Sequence, residues 1–395
     1  MANWRKRINS VPQINFRDTL NYDVDLLERL VAIDTNSVES KNYEQMAALL
    51  KGELKEAGAK VEVLRADAKD GRPRPNVIGH IDNGAEETLG LNAHFDTVQT
   101  DPRGWKTDPF RLEVHGDKAF GRGTADDKSA IVAALSALKK AESKVNLEIM
   151  FTCDEEIGGE YGVGWLVSKM RHKIRSERVV VLDGRRRIVV GACGRAPGKI
   201  TVTGAETHSA YPFLGKNAIT SSLPFLSKIQ KFEDVAAKYV SKFDNGERKI
   251  YGRFNLTVLR SGVQDNVIPG RLEALFDLRN IPEVPMNVMA QKFRQYFERV
   301  AKECKVDAEL EFSYIQNGFI TNPKEKLVRK FSEAADDSEL YGAFGGDDGR
   351  FFHKAGIPVL DYGAQNESMH KDNEYVSIKE MNRARDTLAR LLEIF

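Results

Sequence analysis

The middle of the chain breaks the pattern set by its beginning. Short apolar runs suited to strands occur at 61–64, 76–81, 88–93, 145–152 and 179–182. Between or before them lie segments with helical spacing: Leu26, Leu27, Leu30 and Val31, then 40–57, 128–139 and 161–170. Alternation of this kind builds a strand and helix sandwich. From residue 199 the order becomes strand 199–203, helix 218–229, strands 255–259 and 271–278, helix 288–301 and strand 309–312. That β-α-β-β-α-β series suits a separate ferredoxin-like domain. A helix at 327–335, a glycine-rich turning segment at 342–349, a strand at 357–360 and a helix at 378–392 then resume the first domain. A chain of 395 residues exceeds the usual need of one core. The expectation is an α/β protein: a large α/β/α domain from 18–196 and 315–395, with a smaller α+β domain inserted at 197–314.

Charge and cysteine content narrow the partners. Fifty-nine basic residues against 58 acidic ones leave a net charge of +1, which makes no broad field for nucleic acid or an anionic membrane. The basic stretch Trp4-Arg5-Lys6-Arg7 has no apolar run after it and reads as a solvated arm. No apolar run approaches the roughly 20 residues of a membrane helix. Cys153, Cys193 and Cys304 are odd in number and widely spaced, so neither a disulfide framework nor a thiolate zinc site is indicated. A reducing cytoplasm fits this usage, with neither nucleic acid nor membrane as partner.

Five scattered stretches each offer an acidic or imidazole group: His94-Phe95-Asp96, Asp126-Asp127-Lys128, Asp154-Glu155-Glu156, Leu182-Asp183-Gly184 and Met369-His370-Lys371. His94, Glu155, Glu156 and Asp183 fall at or just beyond strand ends, where open α/β sheets place their sites. Asp126 enters from a glycine-flanked turn at a helix entrance, which suits a carboxylate shared by two ions; alone it would read as a helix cap. Asp96 could orient the His94 ring. Neighbouring glutamates cannot readily do one job, so one division has Glu156 binding metal and Glu155 acting as general base. Asp183 follows the apolar run Val179-Val180-Val181-Leu182, where a cation would remove the cost of an unpaired charge. His370 supplies a second imidazole. Amide hydrolysis needs an activated carbonyl and an activated water, and two divalent ions can serve both ends. Nitrogen and oxygen ligands without sulfur favour zinc, with cobalt or manganese as alternatives.

In series, Asn92-Ala93-His94-Phe95-Asp96-Thr97-Val98, Gly121-Arg122-Gly123-Thr124-Ala125-Asp126-Asp127-Lys128, Thr152-Cys153-Asp154-Glu155-Glu156, Asp183 and Met369-His370-Lys371-Asp372-Asn373-Glu374 resemble a metal-dependent amidohydrolase and peptidase family. Its members include acetylornithine deacetylase, succinyl-diaminopimelate desuccinylase, aminoacylase, glutamate carboxypeptidase and carnosine dipeptidase. The resemblance implies a di-metal aminopeptidase-like catalytic domain with an inserted lid and dimerisation domain. It implies one ion on His94 and Asp183, another on Glu156 and His370, Asp126 shared, and Glu155 and Asp96 in catalysis.

On the inserted domain, Gly204-Ala205-Glu206-Thr207-His208-Ser209-Ala210 resembles the family segment whose histidine reaches a homodimer partner's site; a solvent-facing turn is the plain alternative. Asn266 and Arg279 resemble substrate-gripping positions, and Arg279 could equally form a structural ion pair. Gly345, Gly346 and Asp347 match the family's glycine-rich binding loop, where Gly346-Asp347 replaces the common Thr-Ser pair. Aspartate at 183 accompanies aminopeptidase and dipeptidase members, whereas glutamate is usual in deacylases and carboxypeptidases. The expected substrate is a small N-acyl amino acid, with a dipeptide as alternative. A binding protein built on a retired hydrolase fold is the reading from another class.

Overall fold

Residues 16–395 are described by the structure, a computed structural model, and the basic stretch Trp4-Arg5-Lys6-Arg7 lies outside them. The chain divides into two units. The first comprises the residues up to Arg186 together with Lys330–Asp337 and Asp361–Phe395; the second comprises Arg187–Arg329 and Ser338–Leu360.

In the first unit, strands Lys60–Asp67, Pro73–Ile81, Asn146–Thr152, Thr88–His94 and Arg178–Val181 lie side by side in that order. The first three run antiparallel, and Thr88–His94 is parallel to both neighbours. Parallel strands are covered on both faces, so they read as continuous apolar runs rather than alternating ones. Leu89, Leu91, Ala93, Ile149, Val179 and Val180 are accordingly all fully buried. Helix Ser129–Lys140 packs on strand Thr88–His94, while helices Phe16–Val31 and Ile378–Ile394 pack on that helix. Every residue from Ser129 to Ala137 is buried, which explains an apolar composition extending around the helix. Helices Phe16–Val31 and Ile378–Ile394 are joined through the buried Asp23 carboxylate, which accepts from Arg385 at 2.5 Å and from the Ser136 hydroxyl. Removing Arg385 would leave the Asp23 carboxylate buried without a cation, for which about 3–5 kcal/mol is typical, whereas Arg385 without Asp23 would keep Asp386 at 2.8 Å.

A small sheet not expected from sequence has a large positional effect. Strands Glu113–His115, Lys118–Phe120 and Tyr375–Ser377 pair antiparallel, with Phe120 opposite Tyr375. That pairing brings 370–374 beside 121–126, and Gly121 N–H donates to the Glu374 carbonyl at 3.0 Å. The three strands are too short for a periodicity signal.

In the second unit, strands Gly194–Thr203, Arg253–Ser261, Arg271–Asn280 and Ala308–Phe312 form an antiparallel sheet. Numbered along the chain, their spatial order is 2-3-1-4. Helix Ala218–Gln230 follows the first strand and helix Met286–Cys304 the third, giving the expected ferredoxin-like order. Leu272, Ala274, Phe276 and Leu278 alternate inward along one strand and pack with Phe225, Phe232, Phe293 and Phe297. Each buried leucine or phenylalanine among them contributes about 1.5–3 kcal/mol. Strand Ile188–Ala192, also missed in the sequence reading, pairs with Phe319–Ile320 and with Leu340–Ala343. Among the described residues no helix is long and apolar enough to cross a membrane.

Candidate metal centre

Three adjacent parallel strands deliver the first groups. His94 ends the central strand, opposite Thr152 in register, and Phe95 N–H donates to the Thr152 carbonyl at 2.9 Å. Glu155 and Glu156 follow Thr152 by three and four residues, in a short 3-10 turn. On the other side Leu182 N–H donates to the Asn92 carbonyl at 2.8 Å, which sets Asp183 beyond the third strand end. The ends of neighbouring parallel strands thus converge, as open sheets with their sites at carboxyl edges require.

The turn carrying the two glutamates is held from below. Asp154 is 1% exposed and has a left-handed φ of 64°. Its carboxylate accepts from Arg74 Nε at 2.7 Å and from the Tyr43 hydroxyl at 3.2 Å. Asp96, fully buried, accepts from Glu155 N–H at 3.2 Å and Glu156 N–H at 3.1 Å. Asp96 therefore braces the glutamate turn through its carboxylate, while its carbonyl lies 3.1 Å from His94 Nδ1.

Asp126 arrives by a different route. Gly123 takes a φ of 83°, in the left-handed region that disfavours a side chain, and a single π-type turn Thr124–Lys128 precedes helix Ser129–Lys140. Within that turn Asp126 has φ −140° and ψ 91°, so its carboxylate leaves an extended residue rather than capping a helix. The peptide bond between Asp126 and Asp127 is cis. Glu374, 1% exposed, accepts from Arg122 Nη1 at 2.7 Å and from the N–H groups of Gly123, Ala125 and Asp126 at 3.0, 2.8 and 3.1 Å. One carboxylate thus secures the loop that presents another.

The two Asp126 oxygens face different imidazoles. Oδ1 lies 2.9 Å from His94 Nε2, and Oδ2 lies 3.1 Å from His370 Nε2. His94 Nε2 is 3.8 Å from Asp183 Oδ1, and His370 Nε2 is 3.0 Å from Glu156 Oε2. One oxygen of Glu155 lies within 4.8 Å of His94 and Asp183 ligand atoms. All of the predicted ligand residues therefore meet in the first unit.

A metal ion suits this arrangement for a specific reason. The Asp96 carbonyl can only accept, so it fixes the His94 proton on Nδ1, and Nε2 of the neutral ring presents a lone pair to the Asp126 carboxylate. Two lone pairs 2.9 Å apart repel unless a proton or metal cation lies between them. Glu156 Oε1 is buried without a hydrogen-bond partner, a further open lone pair. Without ions, protons take the cationic role. Burial opposes charge on His94, but hydrogen bonds with Asp126, Asp183 and Asp96 outweigh it and hold the ring well above its usual range. Hydrogen bonds with Asp126 and Glu156 raise His370 to about 10. Burial pushes Asp126 up, yet the two imidazoles keep it below the usual carboxylate range. Burial, reinforced by the Asp126 charge, raises Glu156 to about 7, and burial also raises Asp183.

Sequence reasoning missed the supports of this centre. The sequence motifs contain Glu374 and Arg122 but assign neither a role. Gln365 was not singled out; its Nε2 lies 3.0 Å from Asp126 Oδ1 and 2.5 Å from Asp183 Oδ1. A glutamine five residues before His370 matches neither helix nor strand periodicity, so no local signal marked it.

The remaining predicted residues belong to the second unit. His208 is exposed, on a two-residue strand paired with Val267–Ile268, and its Nδ1 accepts from Ala210 N–H at 3.0 Å. That leaves the ring proton on Nε2 as an outward donor. Asn266 is exposed, and its carbonyl accepts from Ser209 N–H at 2.9 Å. Arg279 donates to Asp277 at 2.8 Å and to the Phe344 carbonyl at 3.1 Å. Arg253, its register partner on the adjacent strand, donates to the same carbonyl at 3.1 Å. Gly345 and Gly346 are exposed, whereas Asp347 is 6% exposed and accepts from Gly349 N–H at 2.6 Å.

Comparison with known proteins agrees with this geometry. Residues 90–394 match peptidase family M20/M25/M40. An uncharacterized metallohydrolase of Methanocaldococcus jannaschii is 25% identical over 94% of this chain and 100% of its own. A succinyl-diaminopimelate desuccinylase of Nitrosococcus oceani is 29% identical over 80% of this chain and 88% of its own. Among solved structures, a tripeptidase from Staphylococcus aureus superposes with a TM-score of 0.76 at 21% identity, covering 95% of this chain and 98% of that one. A Bacillus subtilis protein described as a dinuclear metal-binding peptidase of family M20 gives 0.68 at 15% identity, over 95% and 98%. These two likenesses establish the fold. The match across most of the sequence establishes the family: the chain belongs to peptidase family M20/M25/M40, as a metal-dependent hydrolase.

Proposed function

We propose that the protein hydrolyses an amide bond in a small N-acyl amino acid with two zinc ions, cobalt or manganese being able to substitute. The observation that carries this reading is the division of Asp126, one oxygen to His94 and the other to His370. Asp183, His94 and Asp126 would hold one ion; Glu156, His370 and Asp126 the other. When bound, the ions polarise the amide carbonyl and acidify a water molecule. Glu155 takes the proton from that water and returns it to the departing nitrogen. Asp96 fixes Glu155 by its backbone and keeps His94 in the tautomer that offers Nε2.

In this reading residues 197–314 form the lid and dimerisation domain of a cytoplasmic homodimer, inserted between 18–196 and 315–395. Arg279 receives the substrate carboxylate, assisted by Asn266 and by the exposed backbone at Gly345 and Gly346, with Asp347 beside them. His208 of the partner subunit donates through Nε2 to the developing oxyanion. The desuccinylase relatives support the deacylase assignment. The aspartate at position 183 supports a second reading, a dipeptidase or aminopeptidase.

One panel separates the two: N-acetyl-ornithine, N-succinyl-diaminopimelate and a set of dipeptides, offered to zinc-loaded protein. Hydrolysis of the acylated substrates without need for a free ammonium is expected. Activity confined to substrates with a free ammonium would replace deacylation with the peptidase reading, and full activity in protein stripped of divalent ions would overturn both.

A further inference from the structure

Gln365 lies between two carboxylates that a metal ion would share. Its terminal amide atom is 3.0 Å from Asp126 Oδ1 and 2.5 Å from Asp183 Oδ1, and Asp126 Oδ1 is itself 2.9 Å from His94 Nε2. The second pocket has no counterpart among the described residues: Asp126 Oδ2, Glu156 Oε2 and His370 Nε2 meet without a side-chain amide hydrogen-bonded to them. Two ligand atoms each about 2.1 Å from an ion are about 3.0 Å apart at right angles and about 3.4 Å at tetrahedral angles. The 3.0 Å between the Gln365 amide and Asp126 Oδ1 matches that between ligands of a single ion, while the 2.5 Å to Asp183 Oδ1 is tighter and would have to lengthen around a bound cation.

Facing carboxylates alone, the amide presents its NH2 end as donor. A cation between the same oxygens would meet those hydrogens directly. A half-turn about the last side-chain bond exchanges nitrogen for oxygen at almost the same point, because the two ends of a carboxamide have nearly the same shape.

We propose that Gln365 is a fourth protein ligand of the ion held by His94, Asp126 and Asp183, through its carboxamide oxygen. This rests on the two-ion reading above. The added neutral oxygen makes that pocket richer in hard ligands than the Glu156 and His370 pocket, so it suits manganese better than its neighbour does.

The test is titration of metal-free, full-length protein with Mn2+, followed by calorimetry and by the paramagnetic resonance signal of unbound ion. Gln365→Leu removes both amide atoms with little change of volume; Gln365→Glu keeps an oxygen and removes the donor. Circular dichroism of each metal-free variant checks folding. One binding step should weaken at least about tenfold in Gln365→Leu and recover in Gln365→Glu, with the other step unchanged within about threefold. Unchanged binding at both steps in Gln365→Leu would overturn the assignment. So would a Gln365→Glu variant as weak as Gln365→Leu, which would make the amide a donor to carboxylates only. Fewer than two ions on the unsubstituted protein would instead refute the two-ion reading itself.

Discussion

Replacing Glu374 with alanine should damage both stability and the metal centre, though Glu374 is not among the proposed ligands. The carboxylate is 1% exposed and accepts four hydrogen bonds, one from the 2% exposed Arg122 and three from the loop N–H groups of Gly123, Ala125 and Asp126. Its removal strands a buried guanidinium, for which a loss of about 3–5 kcal/mol is typical. Unpaired N–H groups would add about 1–3 kcal/mol each if they stayed dry, but water entering the vacated volume offsets most of that. The lower figure of about 3–5 kcal/mol is therefore the expectation. Arg122 stacks 5.2 Å from the Trp105 ring, so Trp105 fluorescence reports on this loop once Trp4 and Trp165 are changed to phenylalanine. Urea unfolding of the metal-free protein gives the loss, and elemental analysis after gel filtration gives retained metal. A double-mutant cycle with Arg122→Met should recover about 1–3 kcal/mol, because the lone charge is then gone. A Glu374→Ala loss below about 1 kcal/mol, or strictly additive effects in the cycle, would refute the claim that this buried pair holds the Asp126 loop.

Glu155→Gln should keep both ions while lowering turnover at least about 100-fold, the scale of lost general-base help; metal loss with turnover maintained would contradict its role. Asp126→Ala should lower retention of both ions together, whereas His370→Ala should affect one more than the other, as elemental analysis can show. Asp96→Asn removes the charge that accepts from Glu155 and Glu156 N–H, and should lower kcat far more than it raises KM, with the protein still folded. Metal affinity should also depend on pH. In the ion-free protein His370 is raised to about 10 by its carboxylate partners, above an ordinary value of 6.5. That protonated contact contributes stability fully below about 6.5 and loses it as pH rises through about 10. A metal ion must displace the same proton, so apparent affinity should climb as pH rises across this window while metal-free stability falls. Calorimetry in buffers of different ionisation enthalpy would count the released protons; no release near pH 7 would contradict the assignment.

His94, Glu155, Glu156 and Asp183 were legible because each combined a titratable side chain with a strand end, whereas Asp126 and His370 lie in turns and were marked by residue type and motif. His94 closes the run from Thr88, and Asp183 follows the run from Val179, so burial of a continuous apolar strand marked where a polar group must emerge. The supports were not legible in the same way. Arg122 and Glu374 are 252 positions apart and become partners only because Phe120 pairs with Tyr375 in a sheet of three-residue strands. Asp96 was expected to act on the His94 ring; its carboxylate accepts from the glutamate turn as well, a contact between segments 59 and 60 positions apart.

What the sequence determined alone was the longer helices and strands and the kinds of chemical group at their ends, since both follow from local periodicity and residue type. What the tertiary structure decided was which oxygen of Asp126 faces which imidazole, where the His94 proton sits, and that Gln365 stands between two carboxylates. Those outcomes depend on distances of about 3 Å between segments remote in the chain, and periodicity along a chain carries no information about direction across it.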